Sequence, residues 1–515
     1  MTAPAAGSVE SSPALDYIFH PRSIAIAGLS NNPARWFIKD SFLTPLVRGG
    51  YKGNIYLVHP DGGELDGFPV HRNLKEIPGP VDHVVSCIPA GQTPGLVEDC
   101  RDKGVKTVQF YTAGYAETGE PDRIDLQNRL VEIARQGGVR LIGPNCMGIY
   151  CPMEGVSFCA DFPRETGPIG LVCQSGGNAD YMIRYAAARG LRFSKAVSYG
   201  NACDINECDL LEYLVDDPET GVIAAYIEGT RDGKRLAQVL ARAAAAKPLV
   251  VLKGGFTEGG GRATASHTGS LAGSDAVWDG LLKQVGAIRV HSVEEMVDLL
   301  VALVRMVPPQ GLNACTVGNG GGASVMATDE LEAAGLRMPP LPPNVREGVK
   351  ELIDLAGSML RNPIDAGPLL SATGGPLLLT LGERPLGEFI WEFATGASDE
   401  RWARFNRILG DWPELDMAIF HFGFDIGPTH MNETIAQVAG GALLLAARLC
   451  SLPKAVVMHS LADDNGWQAT EKIRQICVDM GFPLFLSMRG AAGAIGKLVD
   501  YNRAYPERLA GLHPS

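Results

Sequence analysis

Three observations predict an α/β chain made of three doubly wound domains. Short, near-continuous apolar runs ending in Gly, Pro, Asn or Ser recur along the 515 residues, and helix-length amphipathic segments separate them. The third observation is composition: 46% hydrophobic and 20% charged residues supply large cores and exclude global disorder. Apolar strands alternating with helices are the pattern of parallel sheets covered on both faces.

In the first block the runs are 24–28, 55–60, 83–89, 107–114 and 140–145; in the second, 169–176, 196–201, 222–229 and 249–254. The third block has 315–320, 418–424, 455–460 and 483–487. Breaks near 150–166 and at MVPPQGLN (306–313) divide the chain into domains at 1–150, 151–308 and 309–515. The segment 371–414 interrupts the strand rhythm with two predicted helices, and reads as an interface element or a tolerated surface insertion. Ligands of such sheets sit at the carboxyl ends of the strands, where this sequence concentrates its Gly, Asn and Ser. Its 62 glycines and 34 prolines exceed the ~12% of average usage, so the excess is expected to act locally, at those loops.

The net charge of −13 argues against a general binder of nucleic acid or anionic membrane, while leaving room for a local anion pocket. There is no apolar run of ~18 residues, so no membrane span is expected. The N-terminal MTAPAAGSVESSPALDYIF lacks the basic start and apolar stretch of a secretory signal, which predicts a cytoplasmic protein. Eleven scattered cysteines without a C-x-x-C pair read as reduced, small core residues, with neither a zinc site nor a disulfide framework expected.

The first strand opens into RSIAIAGLSNNPAR (22–35), with one glycine, Gly28, where a dinucleotide fingerprint has three. The second strand ends in Val58-His59-Pro60, without the acidic residue that holds a ribose hydroxyl. NAD is therefore disfavoured. Lys52, just before that strand, offers a cation for a phosphorylated adenosine such as CoA, although a purely structural β-α turn fits equally well.

Later strand ends carry Ile88-Pro89-Ala90, Thr112-Ala113-Gly114-Tyr115-Ala116-Glu117 and Gly143-Pro144-Asn145-Cys146-Met147-Gly148. With these the chain resembles the nucleoside-diphosphate-forming (ADP-forming) acyl-CoA synthetases, relatives of succinyl-CoA synthetase. The resemblance implies a Rossmann-like CoA-binding domain followed by two flavodoxin-like domains of the succinyl-CoA synthetase type. It implies CoA contacts at Gly28, Ser30, Lys52, Ile88, Pro89, Glu117 and Asn145, with Gly28-Leu29-Ser30 replacing the commoner Gly-Ala-Ser.

The second block holds His267 in a polar loop, GGGRATASHTGSLAGSD (259–275), which does not match the phosphate loop of NTPases. By pattern alone His267 is as well read as a solvated loop residue. SHTGSLAGSD, however, resembles the phosphohistidine loop of the family, making His267 the implied phosphoryl carrier and Glu228, at the end of AAYIEG, the residue that orients it. A neutral imidazole is nucleophilic near pH 7 and passes a phosphoryl group on. Donors for that phosphoryl group are expected at Ser175, Gly176 and Gly177, where Cys173-Gln174-Ser175-Gly176 matches the family's Ser-Gln-Ser-Gly and runs into a helix. Ser198-Tyr199-Gly200-Asn201 and Asp204 match a further signature to which the sequence assigns no chemistry.

In the third block Gly318-Asn319-Gly320-Gly321-Gly322-Ala323 resembles the Gly-rich turn of the succinyl-CoA synthetase β subunit, so Gly320, Gly321 and Gly322 form a second expected phosphate turn. Asn362-Pro363-Ile364-Asp365 resembles that domain's Asn-Pro-Val-Asp, with Asp365 equally readable as a turn cap.

The block order resembles the α subunit of ADP-forming acetyl-CoA synthetases. The reaction implied is acyl-CoA + phosphate + ADP ⇌ carboxylate + CoA + ATP, with CoA, ATP/ADP and Mg²⁺ as participants. No segment resembles an ATP-grasp domain, which implies a separate ATP-grasp β subunit, an αβ or α2β2 assembly, and a nucleotide bound mainly through that partner. The alternatives are a nucleotide-independent acyl-CoA transferase on the same fold and a non-catalytic CoA-binding regulator.

Overall fold

A computed structural model describes residues 13–29, 36–268, 274–318, 321–353, 360–366, 400–423, 444–459, 471, 474–509 and 512. The chain forms two compact units, Met1–Met296 and Val297–Ser515.

The first unit contains two sheets. The first sheet comprises β1 (Ser23–Ala27), β2 (Asn54–Val58), β3 (Gly63–Leu65), β4 (Phe68–His71), β5 (His83–Ser86), β6 (Thr107–Phe110) and β7 (Arg140–Ile142), in the order β3-β4-β2-β1-β5-β6-β7. Its strands are parallel except at the β3–β4 pair, with Ile24 opposite both Ile55 and His83. All five residues of β1 and all four of β5 and of β6 are buried, as strands covered on both faces require. The sequence pattern misses β3 and β4, whose residues are mostly exposed or half-buried and therefore carry no apolar run.

The second sheet comprises β8 (Gly148–Tyr150), β9 (Ile169–Cys173), β10 (Phe193–Ser198), β11 (Val222–Ile227), β12 (Leu249–Lys253) and β13 (Ile288–Val290), ordered β13-β12-β11-β9-β10-β8. Only β8 runs antiparallel among these described strands. Segments flanking the two sheets meet within this unit. Asp204 accepts from Arg140 Nε at 2.8 Å and from the Leu141 amide at 2.9 Å, and Phe19 stacks on Tyr213 at 4.7 Å.

The second unit holds a parallel sheet of β14 (Ala314–Gly318), β15 (Ile364–Asp365), β16 (Met417–Gly423), β17 (Lys454–His459) and β18 (Leu484–Phe485), ordered β15-β14-β16-β17-β18. Within the irregular segment, 371–399 lie outside the described residues. The helix Glu400–Gly410 buries Trp402, Phe405 and Leu409 completely in this unit's core, so this part is structural packing and not a surface insertion.

Candidate functional site

In a doubly wound sheet, the ligand crevice opens where neighbouring strands send their connections in opposite directions. In the first sheet that point lies between β1 and β5. Gly28 follows β1 at φ +98°, and its amide donates to the Val58 carbonyl at 2.9 Å. A Cβ there would lie 2.9 Å from the carbonyl of Cys87 and 3.0 Å from Ile88, so conformation and space both demand glycine. Ile88 and Pro89 follow β5, with the Ile88 carbonyl held by Thr112 Oγ1 at 2.8 Å and Pro89 exposed. Gly28, Ile88 and Pro89 thus come together, while Ser30 lies outside the described residues.

Lys52 does not join them. It precedes β2, which pairs in parallel with β1 from Ser23↔Asn54 onward, so Lys52 stands at the amino-terminal edge of the sheet. Five residues at ~3.3 Å each separate that edge from the crevice. As a contact for the same ligand, Lys52 is therefore corrected by the strand direction.

Glu117 is already engaged. One carboxylate oxygen accepts the amides of Gly114 at 2.5 Å and Tyr115 at 3.1 Å, and the other accepts Asn201 Nδ2 at 2.5 Å. Burial raises its pKa, but these donors outweigh it and hold the carboxyl below the usual carboxylate range. Asn201 also donates to Gln127 at 3.1 Å, and its amide to the Pro144 carbonyl at 2.9 Å. Gly200, at φ +54°, lets this loop abut residues 144–145, since a Cβ would lie 2.2 Å from the Pro144 carbonyl oxygen. The Ser198–Asp204 signature is thus a clamp: Asn201 and Asp204 tie the second sheet to the loops, a helix and the strand β7 of the first.

Asn145 takes φ +60°, a conformation that asparagine tolerates better than most residues, and lines a cavity of about 200 Å³. Opposite it in the same cavity stand Gln174, Ser175, Gly176 and Gly177. These follow β9, and the second sheet's crevice opens between β9 and β11. Ser175 caps the helix Gly176–Ala187 by accepting from the Asn178 amide at 3.3 Å. The amides of Gly176 and Gly177 lie in the first turn, where an α-helix has no acceptor of its own to offer. A Cβ on Gly176 would lie 2.6 Å from the Met147 side chain; one on Gly177 would meet nothing within 4 Å.

Glu228 ends β11 across this crevice, with 5% exposure. Gln174 Oε1 accepts the amides of Glu228 at 2.7 Å and Gly229 at 3.3 Å, so one side chain joins the two strand ends. Tyr226 Oη donates to Glu228 Oε1 at 3.2 Å. Lys253, at the end of β12, is buried, donates to the carbonyls of Glu228 at 2.7 Å and of Gly254, and holds its ammonium 5.4 Å from the Trp278 ring centre. Gln174, Asn201 and Lys253 were missed in the sequence. The first two sit inside motifs whose glycines and serines drew attention first, and Lys253 closes the apolar run LVVLK.

Burial lowers the Lys253 pKa to about 8, against the opposing pull of Glu228. Between pH 8 and the ordinary lysine value the unfolded chain binds this proton and the folded chain does not. Stability therefore rises with pH across that window, and the penalty is full below it. The difference in urea midpoint between the wild type and Lys253→Met is expected to shift in favour of the wild type from pH 7.5 to pH 10. An unchanged difference contradicts this reading.

After Lys253 the chain turns at Gly254-Gly255 into the helix Glu258–Thr268. A Cβ on Gly254 would lie 2.6 Å from Tyr226 Oη and 3.1 Å from Glu228 Cγ; one on Gly255, at φ +72°, would lie 2.3 Å from Thr264 Oγ1. These two glycines let the chain turn close against Glu228 before the helix begins at Glu258. His267 lies in its last turn, so this stretch is helical where the sequence suggested a loop. The Glu258–Arg262 pair at 2.8 Å and the run from Ala263 support that conformation. The same helix packs against the turn Ala116–Thr118 that contains Glu117.

In the second unit, Gly320 lies outside the described residues, and Gly321 and Gly322 open the exposed first turn of the helix Gly321–Ala333. Asp365 is buried and pairs in register with Gly318. Asn362 Nδ2 donates to the carbonyls of Ala314 at 2.8 Å and Pro339 at 2.9 Å, a structural role for that motif. Among the described residues no cluster of three or more His, Cys, Asp or Glu side chains could hold a metal, and no helix is long and apolar enough to cross a membrane.

Residues 22–152 match the model of a CoA binding domain, and residues 166–303 that of a succinyl-CoA ligase like flavodoxin domain. The α subunit of ADP-forming acetate–CoA ligase I from Pyrococcus furiosus is 37% identical over 68% of this chain and 76% of its own length. The α subunit of the ADP-forming acetate–CoA ligase II of that organism is 34% identical over 94% of this chain and 97% of its own. The fold is similar to that of an acetyl-coenzyme A synthetase from Ca. Korarchaeum cryptofilum in complex with phosphate and ADP, at a TM-score of 0.74 and 27% identity, covering 97% of this chain and 99% of that one. The CoA-type crevice at Gly28, the anion-type turn at Ser175 and these similarities agree, and the chain belongs to the ADP-forming acyl-CoA synthetases, in their α-subunit branch, related to succinyl-CoA synthetase.

Proposed function

We propose that this chain is the α subunit of an ADP-forming acyl-CoA synthetase, converting acyl-CoA, phosphate and ADP reversibly to a carboxylate, CoA and ATP. One observation carries the reading. The amide-rich turn Ser175–Gly177 and the buried carboxylate Glu228 meet at one crevice, joined by Gln174, and the turn Gly254-Gly255 that leads into the helix bearing His267 packs against Glu228.

CoA lies in the crevice at Gly28, Ile88 and Pro89, and its thioester reaches the cavity at Asn145 and Gly177. A phosphate oxygen attacks the thioester carbonyl carbon, the carbon–sulfur bond breaks, and the thiolate takes up a proton. The fixed amides of Gly176 and Gly177 balance the phosphate charge without solvent reorganisation. An imidazole nitrogen of His267 then attacks the phosphorus of the acyl phosphate, and the carboxylate leaves. When His267 visits this crevice, Glu228 accepts from the other ring nitrogen, holding tautomer and orientation. His267 delivers the phosphoryl group to ADP on a separate β partner of the ATP-grasp type, in an αβ or α2β2 assembly. Mg²⁺ supplies charge neutralisation on the nucleotide; no described cluster of this chain offers it a site.

The test combines this chain with a β subunit, acetyl-CoA, phosphate and ADP. ATP forms only when both chains are present. Acyl transfer to an acceptor acid without phosphate or ADP would instead establish a transferase, and CoA binding without either reaction a regulator.

A further inference from the structure

Two cavities share the Gly176–Gly177 turn. The 200 Å³ cavity described above is lined mainly by polar side chains and backbone. The other, about 540 Å³, meets it at Met147, Gly176 and Gly177 and opens toward Trp36, Phe37 and Phe158. That volume falls within the ~300–1,000 Å³ of small-molecule pockets.

Its walls are unusual for a surface exposed to water. Trp36 is 63% and Phe37 45% exposed, and they stand edge to face at 5.9 Å, with Phe37 leaning on Tyr111 at 6.2 Å. Immediately after them Lys39–Leu43 forms a π-helical turn, a rare element that accumulates at functional sites. This turn buries Ser41, Phe42 and Leu43, and leaves Trp36 and Phe37 outside the core. Charges line the rest of the cavity, Arg48 with Asp40 and Asp161 among them, and beside Phe158 the Arg184 guanidinium pairs with Asp180 at 3.1 Å, donates to Cys159 Sγ at 2.8 Å and stacks over Phe162 at 5.4 Å. An acetyl methyl would leave both aromatic faces wet; an aryl ring would cover them.

We propose that this cavity is the acyl pocket and that the enzyme takes carboxylic acids bearing an aromatic group. The proposal rests on the function given above. The carboxyl carbon lies at the Gly176–Gly177 turn, and the ring lies against Trp36, Phe37 and Phe158. Aromatic pairs add attraction beyond the area they bury, which makes Trp36 and Phe37 specificity-determining residues.

Two measurements test it. With the β subunit, kcat/KM is compared for phenylacetate and acetate in ATP-dependent acyl-CoA formation. Phenylacetate is expected to be preferred. Trp36→Ala combined with Phe37→Ala is expected to cost ~10–100-fold with phenylacetate and under ~3-fold with acetate, and Trp36→Phe to restore most of the loss. Equal losses with both acids would overturn the assignment and place another part of the substrate, such as the pantetheine arm, against these rings.

The second measurement needs no turnover. Cys159 alone of the eleven cysteines is not buried, and it lines this cavity. In the full chain, iodoacetamide is expected to label Cys159, with phenylacetate slowing the labelling and acetate leaving it unchanged. Labelling insensitive to phenylacetate overturns the pocket. Protection of Cys159 without any ATP-dependent ligation would retain the pocket and reject the synthetase reading.

Discussion

Incubated with a β subunit and γ-labelled ATP, the chain is expected to acquire an acid-labile, base-stable label that is absent from His267→Ala. Removing a covalent nucleophile removes the path itself and not one stabilising contact, so the overall rate should fall by at least ~10³-fold. The anchorage of the helix makes a specific defect, and not misfolding, the expected outcome. His267 is in the last turn of Glu258–Thr268, whose anchorage comes from Gly254, Gly255 and the packing on Ala116–Thr118, all untouched by the substitution. Alanine is also the best helix former at that position. The urea midpoint should therefore match the wild type, and binding of CoA to the Gly28 crevice should persist. Full labelling of His267→Ala would reject the phosphocarrier. Equal loss of CoA binding would mean that the histidine supports the fold instead.

The crevices were legible because they obey a rule about strand ends. Runs such as β1 and β9 are buried along their whole length, so their apolar character survives in one dimension, and the Gly or Ser that follows marks the ligand edge. Lys52 shows the same rule ignored: it lies near a strand in sequence but at the wrong end of it. The clamp was not legible. Asn201 and Glu117 are 84 residues apart, and no local pattern says that their side chains meet. Glycine both guided and misled. It marked Gly28, where the structure demands glycine, yet made residues 259–268 read as a loop, although they form a helix. The helix Glu400–Gly410 was legible as a helix but not as core, since burial of Trp402 depends on a sheet built from distant segments.

Glu228→Gln is the second large expected effect. Glutamine keeps the volume and an oxygen able to accept from Tyr226, at present 3.2 Å from Glu228 Oε1. The backbone amide bonded to Gln174 and the carbonyl bonded to Lys253 belong to the main chain and survive. What disappears is the negative charge, buried at 5% exposure beside the Gly254 turn that leads into the His267 helix. A carboxylate stabilises the positive charge that develops on imidazole as it attacks phosphorus, and a neutral amide does so far less. The phosphorylation rate is expected to drop ~10²–10³-fold, within the range found for positioned acid–base partners. KM for acyl-CoA should stay close to wild type, because the Gly28 crevice is separate. Glu228→Asp should recover part of the rate, since it restores charge at a shorter reach. A purely structural Glu228 would behave in the opposite way: glutamine would be tolerated and the shorter aspartate would be the damaging change. The ordering of these two variants therefore decides between a carboxylate that orients the histidine and one that only fills the end of β11.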